Sequence, residues 1–241
     1  MQTTAQYLED PYLKTLEATI VEVLPEKEGV FKIVLNKTIF YPMGGGQPTD
    51  QGTLSFPDGT TGEVYQVLFK EGTIFHYVKT QTAPQVGQTV LGAIDWDRRY
   101  RNMRVHSAAH VIDFALFLLG YSPSPLHPLK GDHGKKPFIV YSGTLSKDIL
   151  VELQQKTDEL IAKNMRFSWC FEPLEVLQKE AIYLQPGLPK NKPLRTLRLE
   201  GVGAVAAGGT IVASTGEVGK VIVLPLETVE GTTRIPYTVA N

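Results

Sequence analysis

Arg98-Arg99-Tyr100-Arg101-Asn102-Met103-Arg104-Val105-His106-Ser107-Ala108-Ala109-His110-Val111-Ile112-Asp113-Phe114-Ala115-Leu116-Phe117-Leu118-Leu119 is the run that orders the chain. Most of its residues are good helix formers, and Gly120 stops it, so the pattern predicts one buried or half-buried helix. Four residues make slightly more than a helical turn. His106 and His110 therefore share a face, with Asp113 on the same stripe, and two imidazoles so placed can reach one metal ion or one substrate. The ordinary alternative is a pair of hydrogen-bonded core histidines. Two of the chain's five histidines sit in this apolar run, and each buried ring needs partners for both nitrogens.

Upstream, 16–24 and 29–35 alternate apolar and polar residues and read as strands, as do 53–56, 61–69, 73–78 and 89–94. Pro57-Asp58-Gly59 and Pro84-Gln85-Val86-Gly87 are turn signals. Their spacing predicts a small antiparallel barrel or sandwich ending near Ile94. Between these strands lies Phe40-Tyr41-Pro42-Met43-Gly44-Gly45-Gly46-Gln47-Pro48-Thr49-Asp50-Gln51-Gly52, a loop whose freedom is confined to its glycines. There the backbone can take positive φ or approach a ligand closely.

Downstream the texture is mixed. Asp95 and Asp97 suit a helix start, and Arg98, Arg99, Arg101 and Arg104 form either a solvated face or a phosphate-contacting row. Residues 121–133 read as a loop carrying His127 and His133 as spare groups, with Lys130, Lys135 and Lys136 as a second basic cluster. Strands are expected at 138–143, 167–172, 194–199, 221–224 and 233–239, and helices up to Asn164 and over 173–180. Cys170 lies between Trp169 and Phe171 and reads as a small buried hydrophobe.

The 241 residues, 42% of them hydrophobic, are enough for two ordinary domains. A net charge of -1 excludes a globally basic nucleic-acid binder, so phosphate contacts must come from local patches. One cysteine excludes an intrachain disulfide. No secretory leader and no membrane-length apolar run is visible, and the expected setting is the cytoplasm, with no membrane partner.

The glycine loop at 40–52, then Asp95-Trp96-Asp97-Arg98-Arg99, then Arg104-Val105-His106-Ser107-Ala108-Ala109-His110 together resemble the free-standing alanyl-tRNA editing proteins of medium length (the AlaX family) and the editing region of alanyl-tRNA synthetase. The resemblance implies an α+β fold: a small N-terminal β-barrel with the glycine-rich motif over 1–94, then an α/β two-layer editing domain of the threonyl/alanyl-tRNA synthetase type over 95–241. It also implies trans-editing: hydrolysis of the ester that links a wrongly attached serine or glycine to tRNA for alanine. The implied substrate pocket comprises Gly44, Gly45, Gly46, Gln47, Asp50, Gly208, Gly209 and Thr210. Arg98, Arg99, Arg101, Arg104, Lys135 and Lys136 would meet the tRNA.

The family holds zinc with the two histidines of H-x-x-x-H and with the cysteine and histidine of a later C-G-G-T-H segment. Here that segment is Ala207-Gly208-Gly209-Thr210-Ile211. Its glycines and threonine match, and both metal-binding side chains are gone. Zinc sites ordinarily use three or four protein ligands, so His106 and His110 alone would hold the ion loosely or not at all. Asp113 is better placed for a hydrogen bond to a histidine than as a ligand. Three readings stand: a deacylase using His106 or His110 as general base, with peptide N–H groups at Gly208 or Gly209 at the oxyanion; a hydrolase with weakly bound metal; and a catalytically degenerate tRNA- or partner-binding module of the same fold. Nothing in the sequence sets the oligomeric state.

Overall fold

A computed structural model describes residues 3–240. The N-terminal strands are β1 (Thr4–Ala5), β2 (Thr15–Lys27), β3 (Val30–Leu35), β4 (Lys37–Thr38), β5 (Gly52–Ser55), β6 (Thr61–Lys70), β7 (Thr73–Lys79) and β8 (Thr89–Ile94). Six of them close an antiparallel barrel in the order β2-β3-β7-β6-β5-β8. Alternation decides which side chains fill it: Ile20, Ile33, Leu35, Leu54, Val64, Val67, Val78 and Val90 point inward and are buried. Closure leaves no unpaired edge, which is the stable solution for so short a run of strands.

The helix α1 (Trp96–Leu118) follows. Asp95 starts it, its Oδ1 accepting the Arg98 N–H at 3.1 Å. Every residue from Val105 to Leu116 is buried, so the helix is covered on all sides and its polar members need partners inside the protein.

The remaining elements are β9 (His127–Asp132), β10 (Phe138–Ser142), α2 (Leu150–Ala162), β11 (Phe167–Glu172), α3 (Leu174–Leu177), β12 (Leu194–Leu199), β13 (Gly203–Ala206), α4 (Thr215–Val218), β14 (Val221–Val223), β15 (Glu227–Val229) and β16 (Thr232–Val239). They form a sheet in the order β14-β16-β10-β9, with β15 also on β16, and a three-stranded sheet β11-β12-β13. The amphipathic α2 buries Leu153, Thr157 and Leu160 and packs beside α4 and β14. The expected α+β fold, a small closed barrel followed by an α/β domain, is therefore found.

Of the described residues, 3–44 and 48–101 make one compact unit and 45–47 with 102–240 the other. The division falls inside α1, seven residues beyond the expected 94/95 boundary, and the middle of the glycine loop groups with the second unit.

Three local expectations are corrected. The 121–133 loop contains β9, because pairing with β10 overrides the weak strand propensity of His127-Pro128-Leu129-Lys130-Gly131-Asp132. The expected helix at 173–180 is the single turn α3. Cys170 is exposed, because it lies on the outer face of β11, a strand with one neighbour.

The barrel unit also corrects two site assignments. Asp50 and Arg99 are both fully buried and form an ion pair: Arg99 Nε donates to Oδ1 and Oδ2 at 3.1 and 3.0 Å, and an Nη atom is paired as well. The guanidinium also donates to the carbonyls of Pro11 and Ile39, and Asp50 accepts the Tyr41 N–H at 2.7 Å. A guanidinium with no exposed surface cannot meet a tRNA phosphate, and a carboxylate so occupied is a structural clamp rather than a pocket wall.

Candidate functional site

In the second unit, α1 places His106 one turn before His110, with ring centroids 5.1 Å apart and planes at 25°. A third ring joins them. His133, just beyond β9, stacks on His106 at 4.6 Å and 16°. All three are buried.

Their partners are specific. Gln47 Oε1 accepts the Thr210 N–H at 3.0 Å, so it is an acceptor, and the His106 Nδ1 at 2.9 Å from it carries the proton. The Gln47 Nε2 in turn donates to Thr210 Oγ1 at 2.8 Å. The Tyr237 hydroxyl gives its proton to the Val105 carbonyl at 3.0 Å and accepts from His133 Nδ1 at 2.9 Å. His106 and His133 therefore each carry their proton on Nδ1 and present a bare Nε2. Burial, then the neighbouring His133 and His110, keeps His106 neutral by holding its pKa well below 6.5. Burial and the neighbouring His110 likewise lower His133 to about 4.

His110 differs. Neither ring nitrogen has a hydrogen-bond partner among the described residues, although Nδ1 stands 3.5 Å from Asp113 Oδ2. Asp113 is held by two phenols, Tyr141 donating to Oδ1 and Tyr183 to Oδ2 at 3.0 Å. Burial and the carboxylate beside them push both phenols well above their ordinary range, so both remain donors.

His106, His110, Asp113, His133 and Tyr183 line a cavity of about 170 Å³ together with Gly45, Ala109, Gly131, Gln185, Ala207, Gly208 and Gly209. Two glycines let the backbone close on the rings. A Cβ at Gly209 would lie 1.9 Å from His106 Cε1, and one at Gly46, where φ is +78°, would lie 2.3 Å from the Gly131 carbonyl oxygen. Arg195 holds the Ala207–Gly209 segment, its Nη1 donating to the Ala207 and Gly209 carbonyls at 3.1 and 2.8 Å.

Among the expected pocket residues, Gly45, Gly208 and Gly209 line this cavity. Gln47 and Thr210 are fully buried and act behind it, on His106. Gly44 and Asp50 belong to the barrel unit, where Gly44 accepts the Tyr41 hydroxyl at 2.9 Å. Of the expected tRNA contacts, Arg101, Lys135 and Lys136 are exposed. Arg98 is half-buried on the Thr49 carbonyl at 2.9 Å, and Arg104 is half-buried on the Val218 and Ala240 carbonyls. His127 is half-buried, its Nδ1 3.1 Å from the Pro128 carbonyl oxygen, and does not line the cavity. The sequence reading held His133 only as a spare loop histidine and gave no role to Tyr141, Tyr183, Gln185, Arg195 or Tyr237: a histidine in a Lys- and Gly-rich loop reads as solvated, and no local spacing ties it to α1.

Residues 12–98 match the model for class II (A) tRNA synthetases. An alanyl-tRNA editing protein AlaX-M of Saccharolobus solfataricus is 34% identical over 98% of this chain and 99% of its own length. The chain belongs to the alanyl-tRNA editing family. An AlaX-L editing protein of Pyrococcus horikoshii is 33% identical over 90% of the chain and 53% of itself. An alanine–tRNA ligase of Halobacterium salinarum is 30% identical over 98% of the chain, which spans only 26% of that enzyme.

The family's zinc does not fit here. Among the described residues no group of three or more His, Cys, Asp or Glu is placed to hold a metal ion. Two of the four ligand positions are the buried aliphatic residues Ala207 and Ile211.

Proposed function

We propose that this chain is an aminoacyl-tRNA-binding member of the editing family that receives the aminoacyl end of tRNA for alanine, carrying serine or glycine, without metal and without zinc-dependent deacylation. The observation that carries this reading is the replacement of two ligand positions by buried Ala207 and Ile211 beside the three histidines. Of the basic side chains expected at the tRNA, Arg101, Lys135 and Lys136 are exposed and open to phosphate.

A second reading, metal-free hydrolysis, is favoured by the His110–Asp113 pair. An imidazole beside a carboxylate, here with His110 Nδ1 3.5 Å from Asp113 Oδ2, is a group that can serve as a base toward water, worth roughly a hundred- to ten-thousandfold. Binding and single-turnover hydrolysis of Ser-, Gly- and Ala-tRNA for alanine, with and without chelator, separate the two. The proposal expects chelator-insensitive binding and release no faster than spontaneous hydrolysis. Chelator-insensitive release would establish the second reading, zinc-stimulated release would overturn both, and absence of tRNA binding would overturn the first.

A further inference from the structure

We infer that β11, at the edge of the three-stranded sheet, is a stacking platform for unpaired RNA bases, built on Trp169 and Phe171 and flanked by Lys190 and Lys192. This rests on the tRNA-binding reading above and names the part of that partner this surface takes: nucleotides outside a duplex.

Strand alternation puts Phe167, Trp169 and Phe171 on one face of β11, and Ser168, Cys170 and Glu172 on the other. Along the aromatic face burial falls stepwise: Phe167 is 2% exposed, Trp169 is half-buried and Phe171 is 51% exposed. The two outer side chains leave the strand about 6.6 Å apart, about twice the roughly 3.4 Å step of stacked bases, so neighbouring bases can use both rings. Every base has a π-face, and aromatic side chains presented by a sheet are a recurrent seat for unpaired ones.

Charge selects the occupant. Lys190 and Lys192 are exposed in the loop that leads into β12, whose first residue, Leu194, pairs with Glu172 next to Phe171. The one carboxylate of β11, Glu172, is taken up on the opposite face by Arg198 Nη2 at 2.7 and 2.8 Å, and the two lysines outnumber the exposed Glu175 of α3. Cations beside exposed rings serve a phosphate backbone and its bases together. Arg195 ties this face to the cavity. Its guanidinium carbon lies 5.1 Å from the centre of the Trp169 ring, and its Nη1 donates to the Gly209 carbonyl at 2.8 Å. The indole therefore lies within roughly 9 Å of a residue that lines the cavity, close enough for the bases stacked on it to be those nearest the aminoacyl end.

The test is fluorescence titration of the full chain carrying Trp96→Phe, which leaves Trp169 as the only indole. The probes are tRNA for alanine, a short single-stranded RNA, and that RNA annealed to its complement. Stacking should quench the indole with the tRNA and the single strand and leave it unchanged with the duplex. Phe171→Ala, checked for folding by circular dichroism, should weaken the single strand by about five- to a hundredfold. Phe171→Tyr should bind as the parent does and Phe171→Leu should not, which separates a π-face from apolar area. Lys190→Gln with Lys192→Gln should flatten the slope of log affinity against log salt by about 1.4. Absence of quenching by the single strand, or full RNA affinity in the folded Phe171→Ala chain, would overturn the inference. So would a dimer in sedimentation that Phe171→Ala abolishes while RNA binding stays unchanged, since the face would then join two copies of the chain. Binding of tRNA with a silent Trp169 and a neutral Phe171→Ala sinks this inference alone, whereas no tRNA bound sinks the reading beneath it.

Discussion

Replacing Asp50 by alanine tests whether the barrel unit depends on a buried charge pair. Both side chains are fully buried, and the carboxylate accepts the Arg99 guanidinium and the Tyr41 N–H. Without it, Arg99 keeps only the Pro11 and Ile39 carbonyls as partners among those described. An uncompensated buried charge costs about 3–5 kcal/mol. At roughly 2–4 °C per kcal/mol for a chain of this size, the expected fall in Tm is roughly 6–20 °C. The double variant Asp50→Leu with Arg99→Met removes both charges and should recover to within about 1–2 kcal/mol of the wild type, because the desolvation cost goes with the pair. Urea unfolding followed by Trp96, which packs on the barrel core, reports this unit. A loss below about 1 kcal/mol for Asp50→Ala, or a double variant as damaged as the sum of the singles, would refute the reasoning. Weaker ligand binding by Asp50→Ala at a temperature where it is fully folded would return Asp50 to the pocket.

His76 predicts an acid-labile barrel. It is fully buried between the Thr38 hydroxyl and the Ile33 carbonyl, and burial lowers its pKa to about 4 from 6.5. The unfolded chain takes up a proton that the folded one refuses, so this stability is present above pH 6.5 and about 3 kcal/mol is lost as pH falls from 6.5 toward 4. His76→Gln should flatten that part of the urea-midpoint profile, and an unchanged slope would refute the assignment. Gly209→Ala should displace His106 and cost about 1–3 kcal/mol, read as a lower urea midpoint, whereas Gly208→Ala, whose Cβ meets nothing within 4 Å, should leave thermal stability unchanged. Gln47→Leu strips Thr210 and His106 of their partner and should cost about 1–3 kcal/mol for each buried group left unmet, read as a lower urea midpoint.

Much of this molecule is local and therefore readable along the chain. Period-two alternation with turn signals marks the barrel strands, because a strand's two faces are set by backbone pleat alone. Helical rise puts His106 above His110 whatever packs around them. The loss of the zinc ligands is equally local, since Ala207 and Ile211 have no lone pair in any conformation.

What the tertiary structure decided lies in pairs distant along the chain. His133 enters the stack because Tyr237, 104 residues later, anchors its ring, and no spacing rule relates β16 to β9. Arg99 and Asp50, separated by 49 residues, exchange expected outward roles for a buried pair because barrel closure removes water from both. The tautomer of His106 depends on Gln47, which meets Thr210 across 163 residues. Composition and periodicity set which residues were available to the site. Long-range hydrogen bonding set which atoms were left open in it, because a buried polar group takes its state from the partners that folding brings to it.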